Sequence, residues 1–457
     1  MSRLIIVSNR VPDPSGSQQS GGLAVAVLDA LQEKGGLWFG WSGAIARDAD
    51  PMNVSVKEHG NLTVATVPLS EQDYQTHYLG FSNSVLWPVF HNRLDLARFS
   101  PPQVDGYRRV NEEFASQLSP LLQPDDLIWI NDYHLIPLAA QLRMREHRNR
   151  VGFFLHIPFP SPDVLVAAPE HEWLMRSFFA YDLVGFQTAT DLANFQRFLV
   201  DFQGASLSDD KLTAMGRTII AAVFPIGIDV EAFAAMAHTA EANERIERLH
   251  RRAVPRVHII GVDRLDYTKG LPERLKAFWR LLELYPENQK VATLMQIAAP
   301  TREDVEVYVN IRRELEQLSG AINGKFGDFD WTPVRYIHRS VARDTLAALF
   351  RGSHVGLVTP LRDGMNLVAK EYVAAQDEDN PGVLILSRFA GAAEDLEEAL
   401  IVNPYDADEV AQALQRAINM PQAERRERHE ALLNRVRQRD AKHWRESFLH
   451  TLAASRS

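Results

Sequence analysis

Two cations five residues apart, Arg264 and Lys269, directly follow the apolar run Val257–Val262. Cations at the carboxyl end of a buried strand stand where an open α/β sheet binds anions, and a diphosphate matches that spacing. The same two residues would equally serve as surface partners of Asp263 and Asp266. After the run Val355–Val358 come Asp363, Gly364, Met365, Asn366, Leu367 and Glu371. There Gly364 lets backbone approach a ligand, a helix begins near Asn366, and two carboxylates can accept hydrogen bonds from sugar hydroxyls. A plain helix cap with Glu371 on a wet face is the competing reading. Earlier in the chain, Ser8-Asn9-Arg10 ends one apolar run, Ser20-Gly21-Gly22-Leu23 opens a helical stretch, and Asn131-Asp132-Tyr133-His134 ends another run. His156 follows the run Val151–Leu155 and precedes Pro158, Pro160 and Pro162, which stiffen the loop behind it. Trp38, Trp41, Trp87 and Tyr78 supply faces suited to sugar rings, or to ordinary core packing.

These residues need strands to hold them, and the pattern supplies them. Short β-branched runs alternate with longer helical stretches, the signature of parallel strands with crossover helices. Strands are expected at Leu4–Val7, Thr63–Val67, Leu127–Ile130, Val151–Leu155, Leu183–Phe186 and Ile219–Val223. A second series is expected at Val257–Val262, Val291–Ile297, Val334–Ile337, Val355–Val358 and Leu384–Ser387. Helices are expected at Gly22–Lys34 and Leu135–Glu146. The fold class is α/β, two Rossmann-like doubly wound domains facing a cleft. Residues 1–245 are expected to form the first, 246–437 the second, and 438–457 a helix crossing back to the first. On that helix Phe448, Leu449 and Leu452 make a stripe that either docks there or contacts a second copy.

Composition narrows the class further. The 457 residues are 46% hydrophobic and 24% charged, which excludes wholesale disorder. The net charge of −10 disfavours nucleic acid and anionic membranes. No cysteine is present, so thiolate nucleophiles and thiolate metal sites are excluded. Leu4–Val7 is too short for a signal-peptide core, and a cytoplasmic location is expected. Several familiar signatures fail: there is no GxGxxG, Gly320–Phe326 lacks P-loop spacing, and the Asp-x-Asp pairs at 48/50, 328/330 and 377/379 do not directly follow strong buried strands.

Longer motifs carry a resemblance. Ser8-Asn9-Arg10, Gly21-Gly22-Leu23-Ala24, Trp38–Gly43, Val85-Leu86-Trp87-Pro88, Asn131–His134, His156–Pro160, Val262–Tyr267 and Asp363–Glu371 occur in this order, and from Arg3 to about Tyr405 the chain resembles the α,α-trehalose-6-phosphate synthases. The resemblance implies a retaining, metal-independent, cofactor-free glycosyltransferase of the two-Rossmann (GT-B) type. It would move glucose from UDP-glucose to the anomeric hydroxyl of glucose 6-phosphate. It implies donor contacts at Gly22, His156, Arg264, Lys269, Asp363, Gly364, Met365, Asn366, Leu367 and Glu371. It implies acceptor contacts at Arg10, Trp41, Tyr78, Trp87, Asp132 and Arg302. Among these, Arg264, Lys269, Asp132, His156 and Asp363 would carry the catalysis. Partners would be these small molecules alone, without nucleic acid or membrane, in a homo-oligomer (dimer or tetramer). The segment Arg335–Ser340, near the expected base shelf, departs from the family pattern and leaves GDP- or ADP-glucose as possible donors in place of UDP-glucose. A glucosylglycerol-phosphate synthase would keep the same fold and donor with a different acceptor, and a catalytically silent sugar-phosphate sensor would bind both ligands without turnover.

Overall fold

The computed structural model describes residues 2–12, 31, 35–47, 52–250, 257–302 and 305–455. The chain divides into two compact units, Met1–Ile226 with Lys442–Ser457, and Gly227–Ala441.

The first unit is built on a sheet that runs, among the described residues, to ten strands. In chain order they are β1 (Leu4–Arg10), β2 (Gly36–Ala46), β3 (Ser55–His59), β4 (Leu62–Ser70), β5 (Leu127–Asn131), β6 (Arg150–Phe154), β7 (Leu183–Phe186), β8 (Ser206–Ser208), β9 (Lys211–Ala214) and β10 (Arg217–Val223). Their spatial order is β3-β4-β2-β1-β5-β6-β7-β10-β9-β8. From β4 to β10 neighbours pair in parallel, while β3 and the β8/β9 hairpin close the two edges antiparallel. The unbroken apolar runs of β1, β5, β6 and β7 fit strands covered on both faces. From β1 the chain builds outward through β2 and β4, then returns to β5 and builds the other way. The strand order therefore reverses between β1 and β5.

The helix Ala441–Ala454 seals this unit. Its Phe448 ring stacks on Trp129 of β5 at 4.6 Å, and Trp444 lies 4.9 Å from the same indole. Gly152 of β6 is required for this approach, since a Cβ there would lie 2.9 Å from the Phe448 ring. The stripe of Phe448, Leu449 and Leu452 is thus buried within the first unit, and the dimer-contact reading of it is set aside.

The second unit carries β11 (Val257–Arg264), β12 (Ala292–Ala299), β13 (Val334–Ile337), β14 (Val355–Val358), β15 (Val383–Ser387) and β16 (Leu400–Val402). They form an all-parallel sheet in the order β13-β12-β11-β14-β15-β16. Here the order reverses between β11 and β14. Ile259, Leu294, Leu357 and Ile385 from four of these strands enter one core with Leu275, Phe278 and Leu282 of the helix Leu271–Leu284.

Three expectations need correction. The division anticipated at residue 245/246 falls inside a helix of the second unit, because Val230–Ala237 and Ala240–His250 pack there: Phe233 meets Phe350, and Arg351 donates to the Ala237 carbonyl and to Asn243. The helix expected at Leu135–Glu146 is shorter, Leu138–Met144, because Pro137 caps its start. Strands β2, β3, β8, β9 and β16 were not anticipated. The expected helix Gly22–Lys34 lies, apart from Leu31, outside the described residues. Among the described residues no helix is long and apolar enough to cross a membrane.

Candidate active site

In each unit candidate residues follow the strands that flank a reversal of strand order, Arg10 and Asp132 at β1 and β5, Arg264 and Asp363 at β11 and β14, where α/β sheets leave an opening for ligands. In the first unit Arg10 is the last residue of β1 and projects over the Trp41 ring, 5.7 Å from guanidinium to centroid. Gly43, at φ 85°, permits this, because a Cβ there would fall 2.9 Å from the guanidinium. Trp41 lies 5.5 Å from Tyr78, Tyr78 stacks on His134 at 5.9 Å, His134 meets Tyr133 at 3.9 Å, and Tyr133 lies 5.7 Å from Trp87. One chain of rings therefore links Arg10, Trp41, Tyr78 and Trp87. Trp87 is buried, packed against Tyr133 and His91.

Asp132 follows β5 in a left-handed conformation, φ 76°. Its N–H donates to the Phe154 carbonyl at 2.9 Å, and its Oδ1 accepts the His156 N–H at 3.2 Å. The His156 ring is held by Asn131, whose Oδ1 lies 3.0 Å from Nε2. Since a carbonyl oxygen only accepts, Nε2 carries the proton and Nδ1 presents a lone pair. The ring is packed beside Phe154 and Trp444, and lost hydration lowers its pKa to about 3. His156 is accordingly a neutral hydrogen-bonding group near pH 7 rather than a proton carrier. Gly22, expected beside these residues, lies outside the described residues.

In the second unit Arg264 ends β11 and Lys269 follows in the turn Tyr267–Lys269. Lys269 Nζ donates to Asp363 Oδ2 at 2.5 Å, and Asn366 Nδ2 donates to the same oxygen at 3.0 Å. Asn366, at φ 80°, caps the helix Leu367–Ala375 through its Oδ1 on the Ala369 N–H. Cap and charge pair therefore coexist at Asp363–Asn366. The Asp363–Met365 segment is fixed from behind: the Asp363 N–H donates to Phe389, and the Met365 carbonyl accepts from Ala392. Met365 is itself buried, so this segment offers mainly backbone to a ligand. One turn into the helix, burial pushes the Glu371 carboxyl up to about 7, offset in part by Arg343 at 3.5 Å.

Sequence reading missed the residue that braces this loop pair. Arg274, fully buried, donates to Asp263 Oδ2 at 2.6 Å, to Gln296 Oε1 at 3.0 Å and to Thr359 Oγ1 at 3.0 Å. These partners come from β11, β12 and the residue after β14. Burial raises the Asp263 pKa despite the neighbouring Arg274 and Lys269 charges. No local pattern marks a helical arginine as buried. Arg302 lies in the second unit against Tyr308 and Asp266, at 2.5 and 3.7 Å.

The model of glycosyltransferase family 20 matches residues 4–454. This chain belongs to that family. It is 50% identical over 454 residues to the trehalose-6-phosphate synthase of Cronobacter sakazakii, covering 99% of this chain and 95% of that one. It is 49% identical to that of Sinorhizobium fredii, covering 100% and 99%. A UDP-forming α,α-trehalose-phosphate synthase of Burkholderia xenovorans, solved in complex with glucose 6-phosphate, superposes with TM-score 0.95 at 49% identity, covering 99% of this chain and 100% of that one. The Escherichia coli protein bound with UDP-2-fluoro glucose gives TM-score 0.94 at 48% identity, covering 99% of each. Membership of family 20 makes the chain a glycosyltransferase.

Proposed function

We propose that this chain is a retaining, GT-B-type glucosyltransferase that moves glucose from UDP-glucose to the anomeric hydroxyl of glucose 6-phosphate, releasing UDP and α,α-trehalose 6-phosphate. The observation that carries the reading is the Lys269–Asp363 pair beside Arg264 at the β11/β14 reversal, in a chain whose solved relatives bind glucose 6-phosphate and a UDP-glucose analogue.

As the C1–oxygen bond to the diphosphate breaks, negative charge grows on the leaving phosphate. Arg264, Lys269 and the amino end of the helix Leu367–Ala375 oppose that charge. Asp363 and the Gly364–Asn366 backbone orient the donor glucose, while Leu367 and Glu371 take the nucleoside. The neutral His156, its Nε2–H held by Asn131, accepts one hydrogen bond from the donor sugar at Nδ1. Arg10 and Arg302 grip the acceptor phosphate with Tyr78 and Trp87, and Asp132 and Trp41 take the acceptor ring. The acceptor hydroxyl attacks from the face the diphosphate leaves, and its proton passes to the departing phosphate oxygen, so no protein nucleophile is required. The reading includes a homo-oligomer in the cytoplasm acting on small molecules alone; sedimentation velocity checks the first part, and a single-chain mass overturns it.

The test mixes purified protein and glucose 6-phosphate with UDP-, GDP- or ADP-glucose in separate reactions. UDP release with an α,α-1,1-linked disaccharide phosphate by NMR is expected. Faster turnover of GDP- or ADP-glucose would replace the donor assignment, and transfer only to glycerol 3-phosphate would replace the acceptor. Binding without turnover of any donor would leave a sensor.

A further inference from the structure

We infer that Asp266, seconded by Tyr308, is the positioning residue that fixes the Arg302 guanidinium and ties it to the turn carrying Lys269. The inference rests on the assignment of Arg302 to the acceptor phosphate.

Asp266 is buried at the end of β11, and its two oxygens serve different neighbours. Oδ1 accepts the Thr268 N–H at 3.0 Å and the Thr268 hydroxyl at 2.9 Å, which shapes the turn before Lys269. Oδ2 accepts the Tyr308 hydroxyl at 3.3 Å and lies 3.7 Å from the Arg302 guanidinium. Tyr308 completes the relay: its proton goes to Asp266 while its oxygen lone pair accepts from Arg302 Nη1 at 2.5 Å. Burial pulls the Asp266 carboxyl up, yet Arg302, Arg264, Lys269 and the Thr268 N–H together hold it below the ordinary value, so it stays charged.

Arg302 itself adopts a left-handed backbone, φ 46°, which an arginine rarely takes and which neighbouring structure must maintain. Its side chain is only 9% exposed, so the guanidinium is held in place rather than loose in solvent. A long cation that is already immobilised loses less rotamer freedom when a phosphate arrives. One carboxylate thus braces the acceptor cation on one side and the donor turn on the other.

The test is a double-mutant cycle on the KM for glucose 6-phosphate, with UDP-glucose saturating and the full chain intact. Arg302→Ala should raise KM about 10²-fold and Asp266→Asn about tenfold. Adding Asp266→Asn to Arg302→Ala should raise it less than about twofold further, because a residue acting through Arg302 has nothing left to act on. Equal multiplication in both backgrounds, or an unchanged KM in Asp266→Asn alone, overturns the inference. If Arg302→Ala leaves KM unchanged, the acceptor assignment of Arg302 falls first and the inference falls with it. Should Asp266→Asn not fold, Tyr308→Phe replaces it under the same criterion, with about threefold expected alone.

Discussion

Around the β1/β5 reversal the candidate side chains are mostly rings, whereas around the β11/β14 reversal Lys269, Asp363, Arg302 and Glu371 each meet an opposite charge. Arg10, Trp41, Tyr78, His134, Tyr133 and Trp87 touch in series, and among the described residues no carboxylate pairs with Arg10. In the second unit Lys269 meets Asp363, Arg302 meets Asp266, Arg274 meets Asp263 and Arg343 meets Glu371. A face of rings is rigid before a sugar arrives and gives shape selection with little desolvation. A lattice of ion pairs presents cations that are already oriented, so that charge developing on a leaving group is met without rearrangement.

If that contrast is right, removing a cation from the second unit should hurt most. Lys269→Ala and Arg264→Ala are each expected to lower kcat about 10²-fold or more at saturating substrates, with circular dichroism close to the parent. A loss under about tenfold would remove that residue from the catalytic set. Arg10→Ala, the cation of the ring-lined set, should instead raise KM for glucose 6-phosphate about 30-fold and leave kcat within about threefold. A matching fall in kcat would erase the distinction between the two sites.

The third effect is a titration. Glu371 ionises at about 7 in the fold against 4.5 ordinarily, so the folded chain holds more protons than the unfolded one between these values. Its contribution to stability is therefore complete below 4.5 and declines as pH rises to about 7. Because a ribose hydroxyl donates to the ionised carboxylate, UDP affinity should rise about tenfold from about pH 6 to about pH 8. Calorimetry would show that slope, and Glu371→Gln should flatten it; an unchanged slope in the variant rules Glu371 out as its source.

The smallest expected effect lies in the first unit. His156, at about 3, should show no titration of its imidazole resonances between about pH 5 and pH 8, whereas a shift in that window would make it a proton carrier. His77, also buried and lowered to about 3, adds to the same acid limb: as pH falls from 6.5 towards 3 the unfolded chain takes up protons first, so stability falls. His77→Gln should make that fall shallower in urea titrations.

How far the sequence alone reached follows from what each residue depends on. Arg264, Lys269, Asp363 and Asn366 are visible because they lie in the loops that follow buried apolar runs, and the strand-end rule acts on local order. Arg274, Asp266 as a brace, Tyr308 and the Asn131 contact to His156 depend on partners far along the chain, which no periodicity reveals. Among the strands, β1, β5 and β11 stood out as continuous apolar runs. By contrast, β2 mixes Trp, Gly and Ser in Gly36–Ala46, and β3 is exposed at every residue, so neither carries the apolar signal of a buried strand. The domain limit was misplaced because the polar face of Ala240–His250 looks like a linker until Arg245 and Asn243 are seen to meet the second unit.

The helix that carries Trp444 and Phe448 bears on how the chain is made. The first unit is interrupted in sequence by the whole of the second, so a ribosome releases β5 and β6 long before the residues that cover Trp129 and Gly152 exist. Until the helix Ala441–Ala454 emerges, that part of the first sheet must wait with an aromatic face uncovered, while Gly227–Ala441 already has its own residues in hand. The second unit can therefore finish folding before the first, although it is synthesised later.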